Sequence, residues 1–167
     1  MEFVQTEPSL ENYWRALILF GRNSASYKFA LAKTLIELGQ NPGSDLIRLD
    51  ELAKPFSRYL CEHLTKVDQQ GTSPVGHFLD TCRAYNAGTV SESELLDVTR
   101  KYGFNNVLDA FHIVNRGEIP QRFFLDERRS SGGIRITDSL FELFERSCSG
   151  SLLNETESRW RLVERDC

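Results

Sequence analysis

Apolar and aromatic residues recur at spacings of three and four through the first part of the chain. Leu10, Tyr13, Trp14, Leu17, Ile18 and Phe20 are followed by Ala25, Phe29, Ala32 and Ile36, and Leu31, Leu35 and Leu38 widen the stripe. This spacing puts them on one broad helical face, wide enough to be covered by several other helices. Ser9 reads as an N-cap with Glu11 in the first turn, and Gly39 as the closing residue, with Asn41, Pro42 and Gly43 as the stop. The pattern predicts one long central helix over about 9–38, or a helix pair broken near Gly21.

Polar residues interrupt that stripe at Arg22, Asn23 and Lys28. A buried cation without a partner costs on the order of several kcal/mol. Three readings follow. A carboxylate meets Arg22 and Lys28, or the face carrying Arg22, Asn23 and Lys28 is open to a partner, or an internal hydrogen-bonded network fixes the helix register.

Further along, Asp50 reads as the N-cap of a helix with Leu52, Phe56, Tyr59, Leu60, His63, Leu64 and Val67 on its apolar stripe, bent or starting late at Pro55. After a polar loop at Asp68–Gly71, Ser73-Pro74 predicts the next helix start, carried by Phe78, Leu79, Cys82 and Tyr85 to Gly88. Ser91-x-x-Glu94 is a capping box, and Gly103 ends the helix it opens. Asn105 or Asn106 caps a dense run from Val107 to Val114, read as helix, with the β-branched residues near Ile113 also compatible with a strand. Asp138 opens a helix carrying Leu140, Phe141, Leu143 and Phe144. Ser147–Ser151 reads as a loop, and Asn154-x-x-Glu157 as the cap of a last amphipathic helix with Trp160 and Val163.

Between Gln121 and Thr137 the period changes. Phe123, Phe124 and Leu125, then Ile134, Arg135 and Ile136, flank Arg128-Arg129-Ser130-Ser131-Gly132, which predicts a small β-hairpin at about 121–137. A lone two-stranded hairpin is marginal in water, so it is expected to pack on the helices through Phe123, Leu125, Ile134 and Ile136. The expected fold class is mainly α: a multi-helix bundle around the long helix, one domain over 1–167, with 1–8 and 165–167 as flexible ends.

Formal charge is −4, which argues weakly against non-specific nucleic-acid binding. The charge is segregated, however. Residues 115–137 carry five arginines against three acids, a net of +2, and residues 138–167 four arginines against seven acids, a net of −3. The hairpin tip is therefore the candidate nucleic-acid or anion site. Arg128, Arg129 and Arg135 supply guanidiniums, and Ser130 and Gly132 a turn whose backbone N–H groups can face a phosphate. The competing reading is a solvated turn whose arginines pair with Asp126, Glu127 or Asp138. No apolar run approaches the ~18 residues of a membrane span, and the N-terminus has no basic stretch of the secretory type. A cytoplasmic protein with free thiols at Cys61, Cys82, Cys148 and Cys167 is expected.

No catalytic constellation emerges. Cys61 and His63 are two apart, about 200° around a helix, so they do not share a metal, and they read as a core cysteine and a helix-surface histidine. No nucleophile elbow is present, and Glu92 and Glu94 belong to a helix start. No cofactor and no metal are expected.

Three segments, ENYWRALILFGRNSASYKFALAKTLIEL, RFFLDERRSSGGIRITDSLFEL and ESRWRLVE, together resemble the helical region that precedes the nuclease module in a group of bacterial HNH-endonuclease-like proteins. The resemblance runs from about Pro8 to Glu164. In those proteins the HNH nuclease follows the RWRLVE segment, so the resemblance implies an accessory domain without its catalytic partner. An HNH site needs a histidine base with further metal ligands, whereas His63, His77 and His112 each stand alone, and the chain is not expected to be an enzyme. The expectation is a non-catalytic module in a bacterial phage-defence or mobile-element setting, positioning DNA or docking a protein partner. The alternative is a stand-alone regulator or inhibitor that binds a nuclease or CRISPR-like nucleoprotein complex through the acidic residues of 138–167.

Overall fold

The computed structural model describes residues 9–19, 25–39, 44–65, 77–114, 117–147 and 149–165. They form a mainly helical body with a small antiparallel sheet. The long apolar stripe is occupied by two helices, α1 (Leu10–Leu19) and α2 (Ala25–Gly39), on either side of residues 20–24. The single helix expected over 9–38 is thus described as two elements. Gly21, Arg22 and Asn23 lie outside the described residues. The intervening Gly-Arg-Asn-Ser includes three residues of modest to poor helix propensity.

The hub is α2. It packs on α3 (Leu49–Leu64) and α8 (Ser149–Arg165), and also meets α1, α6 (Val107–Ala110) and α7 (Asp138–Arg146). Phe29, Ala30, Leu31, Ala32, Leu35 and Ile36 are all buried. A helix covered on several sides needs a stripe this wide.

Helix α3 begins at Leu49, where the Arg48 N–H donates to Glu51 Oε1 at 3.1 Å. Asp50 falls in its first turn rather than at its cap, and the helix runs through the buried Pro55, so of the bend or late start expected there the late start does not occur. The expected loop at 68–71 and start at Ser73-Pro74 lie outside the described residues, and α4 spans His77–Asn86. At α5 (Glu92–Val98) the Ser91 hydroxyl accepts the Glu94 N–H at 3.1 Å, and a π-helical turn, Thr99–Gly103, extends the helix.

The helix expected through Val114 stops at Ala110. Ile113–Val114 form β2 instead, paired antiparallel with β3 (Gly117–Glu118), as suits β-branched side chains. The other sheet has the order β1-β5-β4, with β1 (Leu46–Arg48), β4 (Phe124–Glu127) and β5 (Gly133–Ile136) all antiparallel. The hairpin expected at 121–137 is therefore two strands of a three-stranded sheet. Its third strand comes from the segment just before α3, which carried no strand signal of its own.

The register decides which hairpin residues are buried. Phe124 faces Ile136 and Asp126 faces Ile134, whereas Leu125 faces Arg135 on the other side of the pleat. Phe123, Phe124, Ile134 and Ile136 are buried, and Leu125 is 44% exposed. The expected packing through Leu125 is thus corrected by strand alternation. Gly133 sits against β1 so closely that a Cβ would lie 2.7 Å from Arg48 Cα and collide with the Ile47 carbonyl oxygen.

Near the end, α8 starts at Ser149, not after a loop to Ser151, and Asn154 lies inside it. The buried Leu152, Thr156 and Trp160 recur every four residues, so the helical stripe begins before Asn154. Of the ends expected to be flexible, Arg165 closes α8, while 1–8, 166 and 167 lie outside the described residues. Among the described residues no helix is long and apolar enough to cross a membrane.

Candidate functional site

Of the five residues proposed for phosphate, Arg128, Arg129, Ser130 and Gly132 lie in the turn between β4 and β5, and Arg135 lies within β5. The backbone donors of the turn point inward. The N–H groups of Ser130, Ser131 and Gly132 all reach the Glu127 carbonyl, at 3.3, 2.8 and 3.0 Å, a closure helped by the positive φ of Gly132. The Gly132 carbonyl in turn accepts the Leu49 N–H at 3.1 Å, tying the tip to the start of α3.

The guanidiniums are engaged too. Arg128 grips Asp126 with two parallel bonds, Nε to Oδ1 at 2.9 Å and Nη2 to Oδ2 at 2.7 Å, and its Nη1 donates to the Phe104 carbonyl at 3.2 Å. Arg135 joins Glu127 at 2.9 Å and Asp45 at 2.7 Å. Each pair favours its charged forms. The Arg128 bond holds the Asp126 carboxyl below its ordinary value, and the Arg135 bond, aided by the Ser131 hydroxyl, does the same for Glu127. Arg129 is different. It is exposed and makes no hydrogen bond or ion pair with a described residue. It stands with Ser130 at the rim of an open depression of about 730 Å³ that also contains Asp109 and Asp126. Of the five residues, only Arg129 and the Ser130 side chain remain free to meet an anion, and two carboxylates share their depression.

Lys28, the one member of the proposed partner face that is described, is only 4% exposed. Its Nζ donates to the Ile113 carbonyl at 2.9 Å, and among the described residues no carboxylate meets it. Burial pulls its pKa down to about 8, because the uncharged amine tolerates the interior better. Nearby, His112 accepts the Phe123 N–H on Nε2 at 2.9 Å, which puts its ring proton on Nδ1. That Nδ1 and the Trp14 indole N–H are both buried without a hydrogen-bond partner among the described residues. Burial first, then the charges of Arg122 and Lys28, push His112 down to about 3.

The most connected polar cluster was not legible in the sequence. Glu157 of α8 sits between Lys33 of α2 and His63 of α3, with Oε1 2.6 Å from Lys33 Nζ and 3.1 Å from His63 Nε2, while Oε2 meets Arg161 Nε at 3.0 Å. His63 is buried, in keeping with its place on the apolar stripe and not with the helix-surface reading beside Cys61. Trp160 lies beneath it, stacked also on Phe29, with ring centroids 6.0 Å apart. Lys33 lies 4.4 Å from the Tyr59 ring centroid, and Tyr59 and Arg58 both hold Glu37 Oε1 at 2.5 Å. Only the Asn154-x-x-Glu157 spacing drew attention to Glu157 beforehand, and for a capping role. The remaining histidine, His77, is exposed with its ring edge-on to Tyr102 at 4.9 Å. Among the described residues no three His, Cys, Asp or Glu side chains are grouped to hold a metal.

No family model, no curated protein and no solved structure matches the chain.

Proposed function

We propose that the chain is a non-catalytic binding domain of the HNH-nuclease-associated kind, working in a bacterial defence or mobile-element setting by docking a protein partner. The observation that carries this reading is the anchoring of α8. Trp160 is clamped between Phe29 and His63, and Glu157 between Lys33 and His63. In the proteins that the chain resembles, the nuclease module follows this helix. A helix tied this firmly into the body would give such a module a fixed direction. Two of the three histidines serve packing: His63 inside the α8 anchor, His112 on a backbone N–H. The nucleic-acid version of the reading is weakened by the inward-turned donors and paired arginines of the hairpin tip.

The test is binding of the purified chain to a purified HNH module from one of the resembled proteins. A stoichiometric complex is expected, weakened by Leu162→Glu, because Leu162 is the half-exposed apolar residue on the outer face of α8. Absence of a complex, together with steeply salt-dependent DNA binding that Arg129→Ala abolishes, would replace protein docking with DNA positioning. Phosphodiester cleavage by the chain alone would end both.

A further inference from the structure

Cys61 and Cys82 face each other across the contact between α3 and α4. Both are buried and free, at 4% and 0% exposure. The Cys61 thiol reaches across to the Cys82 residue itself, donating to its backbone carbonyl oxygen at 3.9 Å. Cys61 also lines a cavity of about 320 Å³ whose wall includes Ser57, Thr65 and Asn86 as hydrogen-bonding groups, with Lys54 and Arg58 balanced by Glu62 and Glu92. A cavity of that size is far larger than one water needs and gives hydrogen peroxide ample room to reach Cys61.

We propose that Cys61 and Cys82 form a dithiol that a peroxide oxidises through this cavity, cross-linking α3 to α4. The Cys61 sulfur attacks one peroxide oxygen. The O–O bond breaks, and the departing hydroxide takes the Cys61 thiol proton and leaves as water (or alcohol, from an alkyl peroxide). The product is a sulfenic acid. The Cys82 sulfur then attacks the Cys61 sulfur. The S–O bond breaks, the hydroxyl departs with the Cys82 proton as a second water, and a disulfide remains. Two thiols have lost two electrons, and one peroxide has gained them.

The roles are unequal. The Cys82 S–H bond holds the Cys61 thiol below its ordinary pKa against the effect of burial, and the same contact, with burial, raises Cys82. Only thiolates are effective nucleophiles, so Cys61 attacks first and Cys82 resolves. Cys61 is also the cysteine that reaches the cavity.

The test uses the full native chain. It is treated with equimolar hydrogen peroxide, unfolded in excess maleimide, digested and mapped by mass spectrometry. The expected product is a Cys61–Cys82 linked peptide lighter than the two reduced peptides by two hydrogens. Without peroxide, both sites should carry maleimide once the chain is unfolded, which shows that the two thiols start reduced. Cys82→Ala should stop Cys61 at sulfenic or sulfinic acid, whereas Cys61→Ala should leave Cys82 reduced. If both cysteines carry maleimide after peroxide, or if either links only to Cys148 or Cys167, the proposal is overturned. Mapping of the native chain decides the matter even where a variant folds poorly. The outcome is independent of the docking reading.

Discussion

The imidazole of His63 lies flat on the indole of Trp160, ring centroids 3.4 Å apart and planes within 8°. The contact joins α3 to α8, helices far apart in sequence, and Phe29 extends it into α2. Removing the indole leaves a large void and strips the His63 ring of its neighbour. Trp160→Ala is expected to cost about 3–5 kcal/mol, read by chemical denaturation followed by circular dichroism. Amide exchange should speed up most in α8. A loss below ~1 kcal/mol would mean that α8 is not anchored through this ring.

Acid should reach the fold in two stages. His112 falls from its ordinary 6.5 to about 3 in the folded chain, so below pH 6.5 the unfolded chain binds the extra proton. Its contribution is whole above 6.5 and declines as pH falls towards 3. Glu157 falls from 4.5 to about 2: burial acts to raise it, but the Lys33 hydrogen bond and the neighbouring His63 outweigh burial. Its contribution is whole above 4.5 and is lost as pH falls through 2. Urea titrations at a series of pH values should show decline already between 6.5 and 4.5. His112→Gln, which retains an acceptor for Phe123, should flatten that upper stage alone.

Lys28 has the same sign on the alkaline side. Its pKa drops from 10.5 to about 8, so the folded chain sheds a proton that the unfolded chain keeps. Stability should rise between pH 8 and pH 10.5 from this group. Lys28→Met removes the charge at similar volume and should abolish that rise while stabilising the protein near neutrality. An unchanged slope in the variant would place its cause elsewhere.

The two neighbouring arginines at the hairpin tip should separate cleanly. Arg128→Ala breaks a bidentate pair with Asp126 and a bond to the Phe104 carbonyl, and should cost about 1 kcal/mol. Arg129→Ala removes an exposed side chain without a described partner and should stay within ~0.5 kcal/mol. Arg128→Lys should not restore the loss, because an ammonium cannot make the parallel pair. Equal effects at 128 and 129 would contradict this division.

Gly133→Ala is expected to destabilise by at least about 1–3 kcal/mol, because the added Cβ meets the backbone of Ile47 and Arg48, which cannot rotate away. The strand β1 should detach first, seen as loss of amide protection at 46–48.

Several of these features could be read from residue order and others could not. The N-cap at Ser91, the helix-closing Gly103 and the apolar stripe of α1 and α2 are local: each depends on residues within a few turns, and propensity and period report them. Leu125 was misread because two registers of a short strand bury opposite faces, and only the pairing of Leu125 with Arg135 chooses one. His63 has two readings in the sequence, on the apolar stripe of α3 and on the helix surface, and its cover, Trp160 of the last helix, chooses the first. The tip arginines had two readings from the start. Asp126 and Glu127 were adjacent candidates for pairing, but Asp45, Asp109 and the Phe104 carbonyl enter only through tertiary contact.

The sequence by itself determined a mainly helical chain with a short β-prone segment, since both follow from the 3.6- and 2-residue periods of its apolar positions. Tertiary structure alone decided that β1 completes the sheet, that α8 is clamped by Lys33, His63 and Phe29, and that Cys61 meets Cys82. Those outcomes depend on distances between residues remote in sequence, and periodicity measures only distances along the chain.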